Sequence, residues 1–193
     1  MSDSAQNPYA TGSTGGSSDG LSQLRMVAKT GSVITLALAM GIVTVSVILG
    51  FMTSQKDFGD SNAFRLDADS MVFVVIGFGK FLVCVAACVI LRSVSKRKVA
   101  EIMQSSETPF PVPIREDSKL PPVTKAATQT LFTSTLIGQA LFEGGAMLNA
   151  ILMFLDQNFI FLIPIVLGVA GVLFQMPTES RLRSALENAS VAK

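Results

Sequence analysis

The feature that most limits how this chain folds is the gathering of its apolar residues into runs long enough to cross a bilayer. A hydrocarbon core about 30 Å thick takes about 20 helical residues at roughly 1.5 Å each. Four segments reach that length: Ser32 to Met52, Met71 to Leu91, Leu131 to Leu155 and Phe159 to Met176. At 49% hydrophobic and 15% charged residues, with a mean hydropathy of +0.52, the chain lies outside the ordinary soluble range. The pattern predicts an all-α integral membrane protein with four transmembrane helices and a disordered N-terminal tail. Little chain remains for a separate soluble domain, and a net charge of +1 carries no nucleic-acid signal.

Three regions follow. Residues 1–30 are expected to form a disordered cytoplasmic tail whose Ser- and Gly-rich start, Met1 to Gly20, has too few apolar residues to bury a core. Because the first apolar run begins only at Ser32, an uncleaved first helix fits better than a signal peptide. Residues 31–177 are the transmembrane domain. Residues 178–193 are read as a short C-terminal helix, cytoplasmic or interfacial, with Leu182, Ala185, Leu186 and Ala189 on one side.

Inside the transmembrane domain, Ala37, Gly41 and Thr44 share one face of the first helix, a surface suited to packing in the chain's own bundle or to dimerisation. The loop Thr53 to Ser70 holds Asp57, Asp60, Asp67 and Asp69 without the EF-hand spacing, so it reads as solvated, with Asp69 or Ser70 capping the second helix. On that helix Gly77, Lys80, Cys84 and Ala87 share a side. Cys84 and Cys88, one turn apart, suit packing more than a disulfide. Val94, Val99, Ile102 and Met103 carry the helical period beyond the apolar run. Five prolines between Ser105 and Pro122 then exclude a regular helix and predict a stiff linker, with docking of its Pro-x-Pro run as the alternative. Pro121 and Pro122 suit the start of the third helix.

Cations set the expected orientation, since short-loop Lys and Arg stay on the cytoplasmic side. Arg25, Lys29, the Arg92 to Lys98 cluster, Lys125, Arg181 and Arg183 fall on one side of a four-span arrangement, and only Lys56 and Arg65 on the other. Both termini are therefore expected in the cytoplasm. The same cluster is suited to touching anionic headgroups.

Two charges sit near the middle of their runs, Lys80 in the second and Glu143 in the third. A lone charge at a helix centre costs roughly 2.5 to 3.5 kcal/mol on insertion scales, so such groups are candidate functional residues. Thr135, Gln139, Glu143, Ala146 and Ala150 line one stripe, while Asn149 lies off it and needs a partner of its own. The expectation is an interhelical Lys80–Glu143 pair, with Gln139 beside it in an intramembrane polar network. The short turn Asp156 to Asn158 makes the third and fourth spans an antiparallel hairpin. Pro164, Gly168, Gly171 and Gln175 then face the stripe, and Pro164 is expected to bend the fourth helix.

Histidine is absent, which removes the commonest metal ligand and the usual near-neutral titrating group. With no nucleophile elbow, phosphate loop or metal-ligand set, the chain shows no catalytic constellation, and no catalytic, cofactor-binding or metal-binding residue is assigned. A structural, accessory or assembly role is the reading, with a proton- or ion-coupled carrier using Glu143 and Lys80 as the alternative. The expected partners are the lipid bilayer and either further copies of the chain or another membrane protein.

Three resemblances rest on short segments. NPYA at Asn7 to Ala10 resembles the opening of many uncharacterised bacterial membrane proteins. ALFEG, at Ala140 to Gly144, and PTESR, at Pro177 to Arg181, resemble segments of uncharacterised bacterial four-span inner-membrane proteins, which implies that location but no activity. Gln139 to Glu143 with the apolar run behind it resembles the carboxylate helix of the ATP-synthase proteolipid ring. That one-helix likeness implies proton uptake and release at Glu143.

Overall fold

The computed structural model describes residues 20–56, 67–105, 110–114 and 120–191. The start of the expected tail, the loop segment 57–66 with Asp57, Asp60 and Arg65, and the linker segments 106–109 and 115–119 lie outside the described residues. The elements are α1 (Gly20–Lys56), α2 (Ala68–Gln104), α3 (Val123–Asp156), a 3-10 turn (Phe159–Phe161), α4 (Leu162–Phe174) and α5 (Glu179–Val191). No strand occurs among the described residues.

α1 and α2 have 37 residues each and α3 has 34. At roughly 1.5 Å per residue they are about 50 to 55 Å long, well beyond a hydrocarbon core of about 30 Å. All three are apolar enough to cross a membrane. The 3-10 turn and α4 together make a shorter apolar rod that meets α5 at 69°, so three helices qualify as spans, or four if that bent pair counts as one. The bend falls at Pro177 and not at Pro164. Pro164 sits in the first turn of α4, where its missing N–H leaves no helical bond unmade.

Exposed large apolar side chains mark a belt around the molecule: Val33 to Met52 on α1, Met71 to Val94 on α2, Ile137 to Leu155 on α3 and Leu162 to Phe174 on α4. An outward apolar surface this extensive is the lipid-facing surface of a membrane protein. The surplus helix lies at one end, which also holds Arg25, Lys29, Lys96, Lys125, Arg181 and Arg183 and is called the basic end below.

That end has its own core. Leu21, Leu24 and Ala28 of α1, Val99 and Met103 of α2, Ala127 of α3 and Leu182, Leu186 and Ala189 of α5 are buried together with Ile114 of the linker. Two expectations change as a result. Helix α1 begins at Gly20, so a tail extending to residue 30 is corrected: Leu21 and Leu24 place one apolar face inward and give residues 20–30 something to fold against. The linker is not only a spacer, because Ile114 is fully buried. Its backbone N–H donates to Glu187 Oε1 at 2.9 Å, and Arg183 Nε donates to the same oxygen at 3.0 Å.

Inside the belt α3 is the hub, contacting α1, α2, the 3-10 turn, α4 and α5. Close approach makes this feasible. A Cβ on Gly168 of α4 would stand 2.7 Å from Ala146 Cβ and 3.2 Å from the Phe142 carbonyl, and one on Gly171 would meet the Phe142 ring. The expected hairpin is closed by Gln157 in the left-handed region, φ 53°, and by Asn158, whose side chain accepts from the Ile160 N–H at 3.1 Å. Helix α2 is capped by Asp67, two to three residues earlier than a cap at Asp69 or Ser70 implies: its carboxylate accepts from the Ser70 N–H at 2.8 Å.

The Ile114 N–H, and then the Arg183 side chain, hold the Glu187 carboxyl below its ordinary range. A folded-state value below the unfolded one stabilises above the unfolded pKa and is lost as pH falls through the folded value. Protection of the Ile114 amide and of α5 against hydrogen exchange, taken relative to the intrinsic rate at each pH, is therefore expected to fall as pH drops below about 4. Glu187→Gln should remove that acid-dependent component, measured as the difference between the two proteins' exchange profiles.

Candidate functional site

The polar groups of the belt are held mainly by α3. Gln139 is fully buried and its Nε2 donates to Thr35 Oγ1 of α1 at 2.7 Å, while that hydroxyl donates to the Gly31 carbonyl at 2.8 Å. Asn149, also fully buried, donates from Nδ2 to the Gly77 carbonyl of α2 at 3.2 Å and to the Gly145 carbonyl at 2.8 Å. A Cβ at position 77 would lie 2.5 Å from Asn149 Oδ1, so glycine there lets the amide reach a backbone carbonyl. Among the described residues the oxygens of these amides, Gln139 Oε1 and Asn149 Oδ1, are buried without a hydrogen bond.

The stripe predicted on α3 is present. Gln139, Ala146 and Ala150 are buried and Thr135 and Glu143 half-buried, with Gly168 of α4 seated on Ala146. At the basic end of the belt Gln175 Nε2 donates to Cys88 Sγ at 3.2 Å, and Ser95 donates to Ser134 at 2.9 Å. Both cysteines are free thiols, Cys84 buried against the Gly145 backbone.

Lys80, Glu143 and Gln139 do not form one cluster. Gln139 and Glu143 are a turn apart on the flank of α3 that faces α1, whereas α2 packs on another flank through Gly77, Cys84 and Cys88. Lys80 is exposed on α2, and among the described residues no ion pair joins it to Glu143. Depth is not what separates them. Ser70 Oγ donates to Asp156 Oδ1 at 3.0 Å, which levels the far ends of α2 and α3. Counted from those ends, Lys80 and Glu143 lie about 15 and 20 Å inward at roughly 1.5 Å per residue.

The small face of α1 points outward. Ala37 and Thr44 are exposed and a Cβ on Gly41 would meet nothing within 4 Å, so the face is not packed in the chain's own bundle. Sequence reasoning did not single out Thr35, Ser95 or Ser134. A lone hydroxyl in an apolar run is isosteric with ordinary packing residues, and only its neighbour across the interface distinguishes it. Among the described residues no group of three or more His, Cys, Asp or Glu gathers as a metal site.

These features define a helical transmembrane protein whose spans are tied by buried amides. No family model, curated protein or solved structure matches the chain.

Because Lys80 and Glu143 occupy different flanks, Lys80→Met and Glu143→Gln are expected to act independently on thermal stability in detergent. The double variant should fall within ~0.5 kcal/mol of the sum of the singles. Recovery of most of the loss in the double variant would instead place the two charges in contact.

Proposed function

We propose that this chain is a multi-pass protein of the bacterial inner membrane with four spans and both termini in the cytoplasm, serving a structural, accessory or assembly role. The observation that carries this reading is the use made of the belt's buried amides. Gln139 joins α3 to α1 and Asn149 joins α3 to α2, so these groups act as interhelical ties. The fourth crossing is supported by the course of α4. Phe161, just before it, lies near Gly77, and Gln175, just after it, lies near Gly138 and Cys88, so the rod runs from the hairpin end of the belt to the basic end. The surplus of Lys and Arg at that end supports its cytoplasmic placement. The NPYA, ALFEG and PTESR segments support a bacterial inner membrane.

A second reading, a proton- or ion-coupled carrier, draws on Glu143. This carboxylate is half-buried at mid-belt, without an ion pair among the described residues.

Reconstitution in liposomes enclosing a pH-sensitive dye separates the two. The scaffold reading expects no proton flux above protein-free vesicles under an imposed gradient. A flux lost in Glu143→Gln would transfer the function to the carrier.

Orientation has its own measurement. In intact cells an impermeant thiol reagent is expected to label a cysteine placed at Ser61 and to leave one at Ser105 unlabelled. Labelling at Ser105 alone, or at both, would overturn the arrangement.

A further inference from the structure

A pocket of about 150 Å³ opens at the basic end, where α2, α3 and the bend between α4 and α5 meet. Arg92 and Lys96 of α2 and Arg181 of α5 line it, together with the hydroxyls of Ser95, Ser134 and Thr135 and the amide of Gln175, and no Asp or Glu does. Arg181 is already aimed. Its Nη1 donates to the Phe174 carbonyl and, at 3.5 Å, to the Met176 carbonyl, and its guanidinium carbon lies 5.2 Å from the centroid of the Phe174 ring. Those bonds hold the cation against the last carbonyls of α4 without neutralising it. Among the described residues no ion pair engages Arg92, Lys96 or Arg181. Three cations from two helices thus converge on one concavity with no counter-ion among the described residues, and because the Ser134 and Thr135 hydroxyls donate to the Leu131 carbonyl and Ser95 donates to Ser134, the cations carry the recognition.

The level of the pocket narrows the choice of anion. It lies where the apolar belt ends: Phe174, 68% exposed, is both a wall of the pocket and the last belt residue of α4. An occupant with a phosphate among the three cations and hydrocarbon beside Phe174 meets both kinds of surface. We propose that this pocket binds the phosphate headgroup of an anionic phospholipid, with Arg92, Lys96 and Arg181 as its cationic ligands. Basic pockets between transmembrane helices recognise lipid headgroups by this combination of charge and depth. A lipid seated there bridges α2 to the bend that leads into α5.

The chain contains no tryptophan, so Phe174→Trp supplies a single fluorescent reporter at the mouth of the pocket. The full-length reporter protein is reconstituted in phosphatidylcholine vesicles containing phosphatidylglycerol, with bromine on the acyl chains of one lipid or the other. Brominated phosphatidylglycerol is expected to quench far more strongly than its mole fraction requires. The preference should fall about fivefold for each cation removed, read in Lys96→Gln alone and in Lys96→Gln with Arg92→Gln and Arg181→Gln. Among the described residues Lys96 makes no hydrogen bond or ion pair, so the single variant reports even where the triple variant unfolds. Arg97→Gln with Lys98→Gln, exposed cations of α2 outside the pocket, should leave the preference in place. Equal quenching by the two lipids, or a preference unchanged in Lys96→Gln, would overturn the site. Loss of the preference on adding inorganic phosphate would assign the pocket to a soluble phosphate compound and overturn the lipid.

Discussion

Hydrocarbon offers no hydrogen bonds, so each amide carried into the belt has to find its partner on a neighbouring helix, and the packing around α3 is arranged by that requirement. Asn149 reaches the Gly77 carbonyl because position 77 has no side chain to hold α2 away. Gln139 reaches Thr35 because Thr35 is turned into the same seam and shares its own hydroxyl proton with Gly31. On the third side Gly168 sits on Ala146 at a distance that tolerates no larger residue without movement. Small residues set the spacing and the amides set the register. Dispersion between closely apposed backbones supplies attraction that lipid, as apolar as leucine, does not oppose hydrophobically.

The helices also outrun the membrane, and the molecule turns the surplus into a second, differently built layer. Within the belt the outer surface is apolar and the interior carries the hydrogen bonds. Beyond it the ordinary soluble order returns, with Leu24, Val99 and Leu186 inside and lysines and arginines outside. α5 belongs to this layer: Leu182, Leu186 and Ala189 are buried against the projecting helices, and Glu187 clasps the linker by the Ile114 N–H. The Arg25–Glu179 pair, at 3.1 Å, adds a surface contact between α1 and α5 worth at most about 1 kcal/mol. Apolar burial therefore holds this layer, and Arg92, Lys96 and Arg181, in no ion pair among the described residues, remain available for an anionic partner.

Much of this was legible in the residues. The lengths and positions of the apolar runs follow from composition, because no other arrangement removes that much apolar surface from water, and the stripe on α3 follows from helical periodicity. The hairpin at Asp156 to Asn158 is a matter of reach, since three residues leave the chain no route except back. The helical reading past Leu91 rested on Val94, Val99, Ile102 and Met103, and α2 does continue through them to Gln104.

Other features depend on azimuth and on contacts between distant segments, which periodicity along one helix does not supply. Lys80 and Glu143 have comparable depths, but which flank of α3 each occupies is decided by how α1 and α2 dock, and they dock on different sides. The same docking turns Ala37, Gly41 and Thr44 outward and brings Thr35 inward, although both sets are small or polar residues in one apolar run. Residues 20–30 look too polar to fold until α5 and the ends of α2 and α3 stand beside Leu21 and Leu24. The sequence by itself determined which segments leave water, how long they are and which residues share a face. The tertiary structure alone decided which faces meet, because that choice depends on close approach at Gly77, Gly145 and Gly168 and on partners for buried amides that lie as much as 104 residues away along the chain.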